Sequence, residues 1–365
     1  MKLYLYFARR FATTLLGILA VFILLSLLLE MIEVLRKFDV SKIGFIEIFK
    51  LTALKIPNSL YDIFPLVVIL STLLLFLNLS KSSELVVTRA AGRSALRTLI
   101  APVMVALLAG AITVAVFNPI VATTTKQFQN LSQKHLGDQQ SALSFSREGL
   151  WLRQGSNAGQ TVIRAERANQ DGTELFTVTF LGFDAQSIPS FRIEADSAVL
   201  TPGAWLAINT KEWRFDKGGN SELAAIRSPE VFIATDLTPE QILDGFGSPK
   251  SVPIWQLPNF IKRLEQAGFS SRRHQVWFQT QLAMPLLLTT MVMVGAGFTM
   301  RHTRFGRTGL MVLLALGMGF SIFFVRNFAI ILGENGQIPV LLAAWAPPIA
   351  GMLLALGLLL HMEDG

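Results

Sequence analysis

The chain's clearest chemistry lies in Ser80-Lys-Ser-Ser-Glu-Leu-Val-Val-Thr-Arg-Ala-Ala-Gly-Arg-Ser94. Ser82 or Ser83 can cap a short helix, and Glu84 then falls in its first turn, where the helix dipole favours a carboxylate. Leu85, Val86 and Val87 give this helix an apolar side, and Gly92 can end it. Such a helix between two membrane segments suits docking into a groove on a cytoplasmic partner. The alternative is an interfacial helix with snorkelling arginines. A second cluster is Glu30, Glu33, Arg36 and Lys37. Arginine grips phosphate bidentately and lysine acts as a point charge. Local neutralisation competes with that reading, because Glu33–Lys37 is an i,i+4 pair and Glu33–Arg36 an i,i+3 pair. Arg326 stands alone at the end of an apolar segment. An ionisable residue there faces a cavity or partner, or snorkels to the outer headgroups.

Catalytic chemistry is missing from the pattern. The chain has no Gly-Lys dipeptide, so it has no P-loop of its own. The four histidines, His135, His274, His302 and His361, are scattered, and neither a His-Glu-x-x-His motif nor a Gly-x-Ser-x-Gly elbow occurs. Without cysteine there is neither a disulfide framework nor a thiolate metal site. The expectation is a protein with no catalytic residues, no metal, no cofactor and no nucleic-acid partner.

The elements that must position these residues are mostly membrane helices. The sequence is 52% hydrophobic, and spanning the hydrocarbon core takes about 20 apolar residues. Six segments qualify or nearly so: Phe11–Leu29, Ile63–Ser80, Thr98–Thr125, Val276–Met300, Thr308–Val325 and Gln337–Leu360. The second and fifth are short and borrow flanking residues. Helix one runs on past the membrane, from Phe7 to Lys37. Residues 43–62 read as an amphipathic entry to helix two, with Pro57 and Pro65 as breaks or kinks. Gly295-Ala-Gly297 reads as tight helix packing.

Lys126–Arg273 holds 16 Lys/Arg and 16 Asp/Glu, so the net charge of +7 belongs to the membrane segments and their short loops. Lys2, Arg9 and Arg10, then Lys81, Arg89, Arg93 and Arg97, then Arg301, Arg304 and Arg307 fall on one side if the spans number six. By the positive-inside rule that side is cytoplasmic. Both termini are then inside and the central block outside.

The central block is β-rich. Phe176, Val178 and Phe180 alternate with Thr177 and Thr179, and Phe191, Ile193 and Ala195 with Arg192, Glu194 and Asp196. Turn signals at Asp171-Gly172, Pro202-Gly203 and Gly218-Gly219 separate such runs, which argues for a sandwich, jelly roll or barrel. Leu257, Phe260, Ile261 and Leu264 then sit at helical spacing. The expected domains are 1–125 (three membrane helices with the short helix near 82–92), 126–250 (β), 251–275 (connecting amphipathic helix) and 276–365 (three more membrane helices).

Ser83-Glu-Leu-Val-Val-Thr-Arg-Ala-Ala-Gly92 resembles the coupling-helix motif of the lipopolysaccharide export permeases. Ile56–Pro65 is similar to that family's entry to helix two, Gly149-Leu-Trp-Leu-Arg153 to the opening of its β-domain, and Leu237-Thr-Pro239 with Ile254–Pro285 to its return into helix four. The resemblance spans nearly the whole chain. The Val-Val after Glu-Leu and the Gly-Leu-Trp segment look more like the family's G-type subunit than its F-type paralogue.

The resemblance implies six transmembrane helices with a periplasmic all-β jelly-roll-like domain inserted between helices 3 and 4. It implies a transport subunit of an ATP-binding-cassette exporter in the bacterial inner membrane. Its partners would be an LptF-like permease, a dimeric LptB-like ATPase, an LptC-like single-span protein and an LptA-like bridge, with lipopolysaccharide as substrate. Glu84, Leu85, Val87, Arg89 and Gly92 would then form the ATPase-coupling helix. Glu33, Arg36 and Lys37 would be candidate phosphate contacts, although Glu30 and Glu33 are acidic where that family tends to be basic; Arg326 is a further candidate particular to this chain, which the resemblance does not imply. The F-type paralogue of the same complex and a non-transporting membrane scaffold for the β-domain are the rival readings.

Overall fold

The computed structural model describes residues 2–38, 44–90, 94–136, 143–146, 149–156, 159–169, 172–184, 188–215, 222–235, 237–238, 242, 248–266, 270–300 and 308–363. The chain divides into two compact units. One comprises residues 1–135, 250–257 and 272–365, and the other 136–249 and 258–271.

The first unit is helical. It holds α1 (Lys2–Lys37), α2 (Phe45–Lys81), α3 (Glu84–Ala90), α4 (Ala95–Ile112) and, after a π-helical stretch at Thr113–Phe117, α5 (Asn118–Leu136). Among the described residues, α1, α2 and the run Leu96–Ser132 are each long and apolar enough to cross a bilayer. Pro57 and Pro65 do not break α2, which runs unbroken through both. Each removes one backbone hydrogen bond, and the apolar packing around Leu60, Tyr61, Val67 and Val68 holds the helix across them. The π stretch has a local cause. Pro119 has no N–H for the Ala115 carbonyl and its ring would crowd it, so the helix widens there. The indole N–H of Trp255 takes up that carbonyl at 3.2 Å.

Three further apolar segments follow the sheet in sequence. They are α7 (Arg272–Leu282) with α8 (Met284–Thr299), then α9 (Thr308–Glu334) and α10 (Val340–Glu363), all numbered after α6 (Leu257–Gln266). α9 and α10 are each long enough to span. α7 and α8 qualify only together, bent by 49°. Pro285 at the start of α8 accounts for the bend, since it cannot donate to Gln281 and its ring collides with that carbonyl. Small residues let α8 approach its neighbours. A Cβ on Gly295 would lie 2.9 Å from Thr72, and one on Gly297 2.9 Å from Leu358.

The second unit is one antiparallel sheet of seven described strands in sequential order. These are β1 (Leu143–Ser146), β2 (Gly149–Ser156), β3 (Gly159–Ala168), β4 (Glu174–Phe183), β5 (Pro189–Thr201), β6 (Ala204–Arg214) and β7 (Ile226–Ala234). This is a meander, not the two-sheet Greek-key order of a standard jelly roll, because every described neighbour pair is joined in sequence. Asp171 and Gly218-Gly219, expected as turns, lie outside the described residues.

A crease crosses the sheet. Thr177 (φ 52°) and Asn209 (φ 54°) are left-handed. By the register of the flanking pairs both oppose Asp196, and the register continues unchanged on either side. The buried parity flips there. Leu175 is buried before the crease and Val178 and Phe180 after it; Trp205 and Ala207 before, Thr210 after. The expected alternation placed Phe176 inside. Phe176 is instead half-buried, with the Arg167 guanidinium over its ring. The half-turn at Thr177 lets both ends of each strand face one core, completed by Leu264 and Phe260 of α6.

Candidate functional site

The end of the helical unit that holds the start of α1 and the short α3 is organised around Glu84. Its carboxylate accepts Arg10 Nη1 at 2.5 and 2.7 Å, the Tyr6 hydroxyl at 2.8 Å and the Ser82 hydroxyl at 2.8 Å. The Arg10 guanidinium also lies over the Tyr6 ring, 5.7 Å from its centroid. Leu85 is buried in the helical core, while Val86 and Val87 are exposed, Val87 by 68%. Ser82 or Ser83 was expected to cap α3, and Ser83 holds that place, its carbonyl accepting the Val87 N–H at 3.1 Å. Ser82 instead closes α2, its N–H bonded to the Asn78 carbonyl, and Ser83 takes a left-handed φ of 58° that turns the chain into α3. Arg89 belongs to α3 by its backbone, and Gly92 lies outside the described residues.

Burial raises the Glu84 pKa, but the hydrogen bonds from Arg10, Ser82 and Tyr6 outweigh it and hold the group below the usual carboxylate range. A depressed carboxylate contributes stability above its unfolded pKa and loses it as pH falls through its folded value. A spin label at Val87, in a chain without native cysteine, should therefore stay immobile from neutral pH through the ordinary carboxylate range. It should loosen only below that range.

The C-terminal end of α1 shows a pairing across helices in addition to the local one expected, in which Lys37 acts on Glu33 through its charge. Lys55 of α2 binds Glu30 at 2.7 Å and Glu33 at 2.5 Å, and Ser59 donates to Glu30. Glu33 is thus engaged across helices. Arg36 and Lys37 are exposed and form no ion pair among the described residues. The helix end is fixed from its other side by Val34 and Phe38 packed on Ile48 and Leu51.

Arg326 does not snorkel. It is only 8% exposed, and its nearest hydrogen-bond acceptor among the described residues is Asn327 Oδ1 at 3.4 Å. Asp62 and Tyr61 lie within electrostatic reach. The guanidinium therefore points into the helical unit, toward a polar layer that the sequence did not reveal. There Tyr61 donates to Gln281 Oε1, and Asn118 Nδ2 meets the Tyr61 hydroxyl at 3.5 Å. Asn118 Oδ1 accepts the Ile254 N–H at 2.9 Å, and Lys250 binds Asp62 at 2.6 and 2.8 Å. Residues 250–257 are thereby stitched to α2 and α5. The sequence signal was Asn118, a lone amide between Phe117 and Pro119 in an apolar run.

Asn118→Leu removes the acceptor for a buried N–H, an omission that costs roughly 1–3 kcal/mol. A lower thermal midpoint in detergent is expected. Equal midpoints for Asn118→Leu and the unmodified protein would refute the bond's contribution.

Two compact units, one a bundle of five or six apolar helices and the other an antiparallel sheet, define a membrane protein that carries a β unit. Comparison with known proteins gives the family. The family model described as lipopolysaccharide export system permease LptF/LptG matches residues 5–361, and the chain belongs to that family. It is 24% identical over 357 residues to the lipopolysaccharide export system permease protein LptG of Escherichia coli strain K12, covering 96% of this chain and 93% of the relative. It is 22% identical over 352 residues to the protein of that name from Haemophilus influenzae, covering 93% of each. Family and apolar helices make it an inner-membrane permease component, not itself an enzyme.

Proposed function

We propose that this chain is the G-type permease subunit of an ATP-binding-cassette exporter. The exporter extracts lipopolysaccharide from the inner membrane and passes it to a periplasmic bridge. In this reading α7 and α8 form one bent span and the spans number six. Both termini are cytoplasmic, and the β domain is periplasmic, inserted between spans three and four. The partners are an LptF-like permease, a dimeric LptB-like ATPase, an LptC-like single-span protein and an LptA-like bridge. The relatives named LptG support the G-type assignment.

The observation that carries the reading is α3. A seven-residue helix is too short to hold itself. It lies between two spans with Leu85 buried, Glu84 anchored, and Val86 and Val87 turned outward. That is a docking element presented from a fixed base, suited to a motor that pushes on it. At the outer end, Arg36 and Lys37 are exposed to anionic groups, since Lys55 takes the close contacts of Glu30 and Glu33 and Lys37 acts on Glu33 only through its charge. Arg326, being buried, meets a phosphate only in a conformation that opens the helical unit.

The direct test is purification with the candidate ATPase, comparing the unmodified chain with Glu84→Ala. Lower complex yield and weaker ATP-driven lipopolysaccharide release are expected of the variant. Full retention of both would overturn the coupling role of α3.

A further inference from the structure

We infer that Arg10 and Tyr6 are positioning residues that fasten α3 to the inner end of α1, so that Glu84 serves first as an anchor within this chain. The activity arm of this inference rests on the exporter reading above; its structural arm does not. The geometry is specific. Three side-chain donors from two other elements converge on one carboxylate, and two of them, Arg10 and Tyr6, come from 74 and 78 residues away. Arg10 reaches both oxygens, and its own position is set by Tyr6, which accepts one of its N–H groups and lies beneath its guanidinium. The pair is only part-buried, with the Glu84 side chain 32% and the Arg10 side chain 31% exposed, so the anchor leaves an edge of the carboxylate accessible. Beside it α3 offers its apolar side at Val86 and Val87.

The anchor also has a direction. α1 is one unbroken helix of 36 residues without proline. Glu30 lies about 30 Å along it from Arg10 at the standard rise of 1.5 Å per residue. A displacement of α3 is therefore delivered to α1, and along α1 to the end where Glu30 and Glu33 bind Lys55. Were Glu84 only a docking charge for a partner, Arg10 would be dispensable to the placement of α3.

The label arm uses the full chain purified in detergent without the ATPase, which would cover Val87, and the release arm uses the unlabelled chain purified with its partner permease and ATPase. Because the native chain has no cysteine, Val87→Cys carries a single spin label that reports α3 alone. Arg10→Glu and Glu84→Arg should each mobilise the label, and the double reversal Arg10→Glu with Glu84→Arg should immobilise it again. Tyr6→Phe, which removes one donor and keeps the ring, should give an intermediate spectrum. Arg9→Ala, a neighbouring exposed arginine, should change nothing. A label unmoved by Arg10→Glu, or equally moved by Arg9→Ala, overturns the anchor.

The second readout is ATP-driven release of lipopolysaccharide from proteoliposomes. Each single reversal is expected to lower it about tenfold, within the coupling range of contacting residues, and the double reversal to recover most of the loss. If the unmodified complex releases no lipopolysaccharide while the label responds as described, the exporter reading fails and the anchor stands. If the complex exports and the label does not respond, the anchor fails and the exporter reading stands.

Discussion

Gly110→Ala is expected to destroy the assembled helical unit, although the change adds a single methyl group. A Cβ on Gly110 would lie 2.5 Å from Pro285 Cα and 3.1 Å from its nitrogen. Those are backbone atoms of the neighbouring helix, and no rotamer moves them aside. Pro285 is also where α7 bends into α8, so the contact sits at the least adjustable point of that segment. Overpacking a close contact costs about 1–3 kcal/mol and occasionally more, and a backbone collision puts this one at the upper end, a large share of the marginal stability of a folded domain. Size-exclusion chromatography after detergent extraction should show aggregate in place of a monodisperse peak, with a thermal midpoint well below the parent's. Pro285→Ala should not rescue it, because the colliding Cα remains. Gly17→Ala is the control. Nothing lies within 4 Å of a Cβ there, and alanine is the better helix former by about 1 kcal/mol. Comparable midpoints for Gly110→Ala and Gly17→Ala would refute the contact.

Lys55→Met is expected to cost both stability and substrate contact. Lys55 serves two carboxylates of very different exposure, Glu30 at 12% and Glu33 at 63%. Glu33 loses a surface pair worth about 0–1 kcal/mol. Glu30 is left as a mostly buried anion whose remaining donor is Ser59, and removing one partner of a buried pair costs roughly 3–5 kcal/mol. The released Glu33 then has Lys37 and Arg36 one turn away, in the favourable i,i+4 and i,i+3 relation. The variant thus restores the local neutralisation that the sequence alone anticipated. Under the exporter reading, photocrosslinkers at Arg36 and Lys37 should capture lipopolysaccharide in the parent and lose the adduct in Lys55→Met. Adding Glu33→Gln should return the adduct without restoring the thermal midpoint, since Glu30 remains unpaired. Persistence of the adduct in Lys55→Met would show that the acids do not govern those cations.

The apolar segments and the short helix at Glu84–Ala90 were legible in the sequence for one reason. Helix signals are local: a run of apolar residues, or a serine followed by an acid, speaks for itself within a few turns. The same locality explains the errors. Ser82 and Ser83 have the composition of an N-cap, yet Ser82 completes the preceding helix, because α2 continues past where its apolar run ends. Phe176 follows the alternation of its strand, but Thr177 turns left-handed and reverses the face. A β-branched residue gives no sequence warning of that conformation. Pro57 and Pro65 carry a break-or-kink signal, and α2 continues through both.

Charge pairing lay furthest from local reach. Arg10 with Glu84, Lys55 with Glu30 and Glu33, Lys250 with Asp62, and Tyr61 with Gln281 join residues between 22 and 220 positions apart. In each case the sequence supplied the groups and not the partner. By itself, the sequence determined that this chain spans a membrane, that it carries a neutral β-rich block, and that one short acidic-headed helix lies between two spans. Those properties follow from how many apolar residues stand together and at what period. Only the tertiary structure decided that Glu84 is held by α1, that Lys55 leaves Arg36 and Lys37 open, and that Arg326 faces inward. Those outcomes depend on which helices pack side by side, which is set by shape at contacts such as Gly110 against Pro285 and is not written in any local run of residues.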